Sequence, residues 1–170
     1  MQIILASTSP RRRQLLTEAG YAFHAVSPKL DEAAFRRTAP DTRGYAEELA
    51  LAKARSVAPD FPDALVVGAD TICDLDGEVI GKAAGAREAE QITRRLFSKP
   101  HRVITGLALI RLCDNIEIVQ SDVTTVYPRK LTEAQIAEHV AGGGWEGKAG
   151  AYAIQEVGDA FVERIEGSFT

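Results

Sequence analysis

A strand that runs straight into a proline-opened, arginine-loaded helix constrains this chain more than any other feature. Gln2-Ile3-Ile4-Leu5 has the apolar character of a buried strand. Ser9 is a favoured N-cap and Pro10 suits the first helical position. Leu15, Leu16 and Ala19 then supply an apolar face before Gly20 stops the helix. Arg11, Arg12 and Arg13 fall in the first turn, at the positive end of the helix dipole. Like charge there costs from a few tenths to about 1 kcal/mol per residue at an exposed site. A helix start that adds arginine to that field suits phosphate. The alternative is a solvated basic run that tolerates the penalty.

The same alternation continues along the chain. Residues 21–26 form a second strand pattern, followed by a polar loop through Pro40. Residues 42–58 have helical periodicity, with Tyr45, Leu49, Ala52 and Ser56 on one stripe. Residues 64–69 are a short apolar strand ending at Asp70. The Asp76-Gly77 step between residues 71–75 and 78–82 predicts a tight hairpin. A helix over 86–97 turns Ala89, Ile92 and Leu96 inward, and long strands near 101–112 and 116–127 flank Cys113-Asp114-Asn115. Thr132 and Gln135 make a capping box for a short helix that stops at Gly142-Gly143-Gly144. Strands over 152–155 and 160–165 complete the pattern. No linker, low-complexity stretch or repeat divides it, so one domain over 1–170 is expected. Strands and helices in this order imply an α/β or α+β sheet, not a bundle or a sandwich.

Composition narrows the function. A length of 170 residues with 45% hydrophobic and 26% charged content is that of a globular domain with a real core. The net charge of −4 makes the arginine cluster a local exception, which argues against a general nucleic-acid or membrane-surface binder. Cys73 and Cys113 match no zinc or CxxC spacing and are expected to be reduced and mostly buried. No apolar run approaches the ~20 residues of a membrane span and no signal pattern opens the chain, so a cytoplasmic protein is expected. His24, His101 and His139 lie far apart without ligand spacing, which suits surface or satisfied core positions.

Candidate chemistry gathers around Asp70, at the end of an apolar strand where α/β sheets commonly present carboxylates. A two-residue turn at Asp76-Gly77 pairs Leu75 with Glu78, Cys73 with Ile80 and Thr71 with Lys82, which brings Lys82 beside the Asp70-Thr71 step. Lys82 there suits a metal-bound phosphate or a structural ion pair. Lys53 flanks the apolar stripe of its helix as a second candidate cation or as a snorkelling lysine. Asp31-Glu32 is a loop pair or a pair of metal-facing carboxylates. Arginines at a helix start, Asp70 and two lysines together suggest a polyphosphate site needing a divalent cation. No GxxxxGK[ST], GxGxxG after a strand, or HExxH occurs, so a P-loop, a dinucleotide fold and that zinc-protease motif lack support.

These residues resemble a known family. The Ala6-Ser7-Thr8-Ser9-Pro10-Arg11-Arg12-Arg13-Gln14-Leu15-Leu16 start, the Gly68-Ala69-Asp70-Thr71 tetrad, Gly81-Lys82 and the segment from Gly147 to Gln155 are similar to the Maf-like nucleoside triphosphate pyrophosphatases. The match runs in order from the first strand to Ser168. The resemblance implies an elongated α/β fold with a mixed twisted sheet, flanking helices and a deep cleft between two lobes, similar to inosine triphosphate pyrophosphatases. It implies a homodimer and metal-dependent hydrolysis of a nucleoside triphosphate to monophosphate and pyrophosphate, as house-cleaning of nucleotide pools. Arg11, Thr71 and Gln155 resemble the dTTP/UTP type; the 7-methyl-GTP type tends to carry Trp, Gln and Glu there. Ala83 stands where the family usually has proline. The chain as given stops at Ser168-Phe169-Thr170, where the family continues into an Asn-Val-Val-Gly-Leu-Pro segment and a closing helix.

The expected assignment follows. Asp70, Glu32, Lys53 and Lys82 are the catalytic set, and Asp70 and Glu32 hold Mg²⁺ or Mn²⁺. Ser7, Arg11, Arg12, Thr71 and Gln155 bind substrate. The alternatives are a non-catalytic nucleotide-binding regulator, for instance of cell division, the 7-methyl-GTP subtype, and a nucleic-acid module disfavoured by the acidic charge balance.

Overall fold

The strand–helix opening forms as its residues require in the computed structural model, which describes residues 1–154 and 160–168. β1 (Ile3–Ala6) leads through Ser7-Thr8-Ser9 into α1 (Pro10–Glu18), with the Ser9 hydroxyl accepting from the Arg12 amide at 3.5 Å. No acidic residue offsets the arginines in that first turn. The remaining elements are β2 (His24–Val26), α2 (Thr42–Val57), β3 (Leu65–Leu75), β4 (Glu78–Ile80), α3 (Ala86–Leu96), β5 (His101–Arg111), β6 (Ile116–Pro128), α4 (Glu133–Ala141) and β7 (Val162–Glu166). The hydrogen-bonded strand order is β2-β1-β3-β5-β6-β7, with β4 on β3. β1 pairs in parallel with both β2 and β3, while β4 and β7 pair antiparallel, so the sheet is mixed. Among the described residues no helix is long and apolar enough to cross a membrane.

The chain forms two compact units. The first holds Met1–Asp70 and Thr105–Ser121. In it α2 lies almost directly on the strand backbone. A Cβ on Gly68 of β3 would stand 2.3 Å from the Ala50 carbonyl oxygen, and one on Gly106 of β5 would stand 2.2 Å from that of Ala46. Two side-chain-free strand positions thus receive the Ala46, Ala50, Ala54 row of the helix, spaced by four residues. This rotates the helix from its expected stripe. The buried residues are Thr42, Ala46, Leu49, Ala50, Lys53, Ala54 and Val57, while Tyr45, Ala52 and Ser56 are half-buried. Small side chains face the sheet because a helix seated this close to the strand backbone leaves no room for larger ones. Full burial of Leu49 and Val57 adds about 1.5–3 kcal/mol each.

The second unit holds the described residues of Thr71–Ile104 and Asp122–Phe169. Its core joins Cys73, Leu75 and Ile80 of the hairpin to Ala89, Ile92 and Leu96 of α3. The hairpin turns at Asp76 and Gly77, both at positive φ, with the expected pairs Cys73–Ile80 and Leu75–Glu78. The Thr132–Gln135 capping box is formed in full. His101 is buried, its Nδ1 donating to the Leu96 carbonyl at 3.0 Å and its Nε2 accepting from the Tyr152 hydroxyl at 2.6 Å.

Several local expectations need correction. β3 does not end at Asp70 but continues through Leu75, because nothing at Asp70-Thr71 breaks an extended chain. β4 ends at Ile80, so Thr71 and Lys82 do not pair. Lys82 instead bridges Ala149, and the Gly150 amide donates to the Gly81 carbonyl at 3.0 Å. The second strand covers only His24–Val26, and residues 152–154 form no strand. Cys73 is buried, which pushes its thiol up to about 12, but Cys113 is exposed. Its turn after β5 places it outside either core.

Candidate active site

The residues expected to carry chemistry divide between the two units. In the first, the turn after β1 folds on itself: the Ser7 hydroxyl accepts from the Ser9 amide at 3.1 Å and from Arg12 Nη1 at 3.5 Å. Ser7 is buried, and its hydroxyl ties the Arg12 guanidinium back to the turn. Arg11 is half-buried, and its Nε is buried with no hydrogen-bond partner among the described residues. A donor left without a partner costs about 1–3 kcal/mol, more when charged. Arg13 faces solvent.

Lys53 and Asp70 meet inside this unit. Lys53 is 6% exposed and Asp70 7%, and the Lys53 ammonium donates to Asp70 Oδ1. The close seating of α2 on Gly68 brings them together, since Lys53 precedes Ala54, which contacts Gly68, and Asp70 lies two residues beyond Gly68 on the same strand face. The same ammonium reaches Oε1 of Glu32 at 2.9 Å, from the loop after β2. Burial pushes the Asp70 carboxyl above its ordinary value; Lys53 and Arg12 oppose that, while Glu32 adds to it. Burial likewise lowers the Arg12 guanidinium pKa, against the pull of Asp70 and Glu32. Arg12, Glu32, Lys53 and Asp70 therefore form one electrostatic cluster. Tyr45, read from sequence only as part of an apolar stripe, also belongs to it. Burial, then Asp70 and Glu32, raise its hydroxyl pKa. Its position two helical turns before Lys53 is the signal that marks it.

A buried ion pair is weak evidence for stability, because desolvation offsets most of the attraction. A buried carboxylate raised by burial and held by specific cations is better evidence for chemistry. The donor set also fits a hard divalent cation. Asp70 and Glu32 each give Lys53 one oxygen, and among the described residues no group of three or more His, Cys, Asp or Glu could hold a metal. Two carboxylates, with the remaining ligands from water and phosphate, is the habit of Mg²⁺.

Lys82 and Thr71 lie in the second unit. Lys82 is exposed and makes no ion pair among the described residues; Thr71 is half-buried. Gln155 lies outside the described residues.

The model of the Maf-like protein family matches residues 2–170. The chain belongs to the Maf-like family. Two curated relatives named dTTP/UTP pyrophosphatase are similar over nearly all of this Maf-like chain. One, from Symbiobacterium thermophilum, is 43% identical across 99% of this chain and 84% of its own length. The other, from Moorella thermoacetica, is 42% identical across 99% and 86%. Among solved structures, a HAM1 protein from Coxiella burnetii superposes with a TM-score of 0.55 at 16% identity, over 77% of this chain and 74% of that one. A nucleoside-triphosphatase / dITP/XTP pyrophosphatase from Mycobacterium abscessus superposes at 0.51 and 17% identity, over 77% and 76%. At that identity these two carry the fold alone. The Maf-like chain therefore has the mixed α/β fold that its resemblance to inosine triphosphate pyrophosphatases implies.

Proposed function

We propose that this Maf-like chain hydrolyses nucleoside triphosphates, dTTP and UTP first among them, to the monophosphate and pyrophosphate. The observation that carries the reading is the buried Lys53–Asp70 pair with Glu32 and Arg12 gathered on it. The names of relatives 36–43% identical over nearly the whole chain support the substrate class.

In the proposed reaction, Arg12 and Lys53 neutralise the oxygens of the triphosphate, and the start of α1 adds its dipole. Asp70 accepts a proton from the attacking water. The water oxygen bonds to the α-phosphorus as the bond to the bridging oxygen breaks, and pyrophosphate departs with that electron pair. A divalent cation held by Asp70 and Glu32 would supply charge neutralisation on the phosphate oxygens. In this reading Arg11 serves the pyrimidine edge: it only donates, so it favours the carbonyl oxygens of uracil and thymine over the amino group of cytosine.

The test is a screen of common and methylated nucleoside triphosphates with Mg²⁺ and Mn²⁺, its products resolved by chromatography. The expected result is dTMP or UMP with equimolar pyrophosphate, and a dTTP/CTP preference that narrows about 5- to 150-fold in Arg11→Ala. Release of inorganic phosphate with a diphosphate, or binding without turnover, contradicts the reading.

A further inference from the structure

We infer that residues 29–39 form a strap clamped along α2, and that the Tyr45 ring is the positioning residue that seats Glu32 of this strap against Lys53. The contacts pass from the C-terminal end of the helix to its N-terminal end, opposite to the chain, with only Thr38 reaching back one turn to Glu48. At one end the Lys29 amide donates to the Ser56 hydroxyl at 3.1 Å, and its ammonium pairs with Asp60 at 2.6 Å. Three residues on, Glu32 meets Lys53 at 2.9 Å. Phe35 then packs on Tyr45, ring centroids 6.3 Å apart, and the Arg37 guanidinium lies 5.6 Å from the same ring centroid. Thr38 hydrogen-bonds Glu48 through its amide, at 3.1 Å, and through its hydroxyl. At the far end Ala39 packs so closely on Gly44 that a Cβ there would lie 2.8 Å from the alanine methyl.

Between the two ends the strap has little structure of its own. Asp31 Oδ1 accepts from the Ala33 and Ala34 amides at 3.0 and 3.3 Å, and the Glu32 carbonyl accepts from the Phe35 amide at 3.3 Å. This short turn carries Glu32 at one end and Phe35 at the other. Whatever holds Phe35 therefore also sets the position of the Glu32 carboxylate. Tyr45 holds it from one side and draws Arg37 onto its ring. Glu32 is itself half-exposed, so burial alone does not fix it at Lys53. The catalytic consequence rests on the function proposed above; the strap does not.

Backbone amide exchange and steady-state kinetics on Tyr45→Ala and Tyr45→Phe test the inference. In Tyr45→Ala, exchange at Ala33, Ala34 and Phe35 should accelerate about tenfold or more while amides of β1 and β3 keep their rates, since opening of this turn is local. The kcat should fall about tenfold with KM within about threefold, and Tyr45→Phe, which keeps the ring, should restore both readouts. Because Tyr45 acts through Glu32, Tyr45→Ala should change kcat by less than about twofold when added to Glu32→Gln. Unaltered exchange over 33–35 in Tyr45→Ala, equal acceleration in Tyr45→Phe, or a full additional kcat loss in the Glu32→Gln background overturns the inference. Local acceleration in a chain that turns over no triphosphate supports the strap and counts against the proposed function alone.

Discussion

At Asp70, burial favours the neutral acid while two cations favour the ion, and the balance decides whether the group works as a base. Burial wins in part, since the carboxyl lies above its ordinary value of 3.8 despite Lys53 and Arg12. The ascending limb of kcat/KM against pH should therefore lie above that value, activity rising as Asp70 loses its proton. Replacing Lys53 with methionine removes the larger of the two opposing cations, so the Asp70 pKa should rise further. Carboxyl ¹³C shifts followed through a titration measure it directly, and a fixed or lowered pKa in Lys53→Met contradicts this account. The separate contributors were legible in the sequence as a strand carboxylate, a helix-flank lysine and arginines behind a Ser-Pro cap. Their convergence with Glu32 was expected only through the family resemblance, because the loop after β2 offers no periodicity from which to place a carboxylate.

Among the elements, those specified by neighbouring residues were the most legible. The Asp76-Gly77 turn sets the register of its hairpin, and Thr132 with Gln135 caps α4, because both devices act within four residues. Where distant chain decides, the sequence misled. Lys82 pairs with Ala149 instead of Thr71, a contact more than sixty residues away that no local pattern announces. The buried stripe of α2 is turned toward its alanines by Gly68 and Gly106, which look like ordinary strand interruptions when read alone. These glycines set the depth of α2 and with it the seat of Lys53. Gly68→Ala should destabilise the chain by about 1–3 kcal/mol, measured by urea unfolding, because the new methyl meets helix backbone that cannot rotate aside. It should also lower kcat by displacing Lys53 from Asp70. Wild-type stability and turnover in that variant would show that α2 is not held by this contact.

For the molecule as a whole, fold and family follow from different kinds of observation. A mixed sheet with four helices among the described residues gives the chain a fold shared with two solved structures at 16–17% identity, while the family match over residues 2–170 rests on sequence alone. Neither assigns the reaction to particular side chains. In the proposed reaction hydrolysis runs through the Asp70 carboxylate, held by Lys53 and Arg12. Asp70→Asn keeps the shape of the group, loses its charge, and leaves Arg12 and Lys53 to bind triphosphate. The decisive measurement is dTTP turnover and dTTP binding on the same preparation of folded Asp70→Asn protein. Turnover should fall about 10²- to 10⁴-fold, with binding within an order of magnitude of the parent. Turnover near the parent rate would contradict the proposed reaction and place the base at another residue.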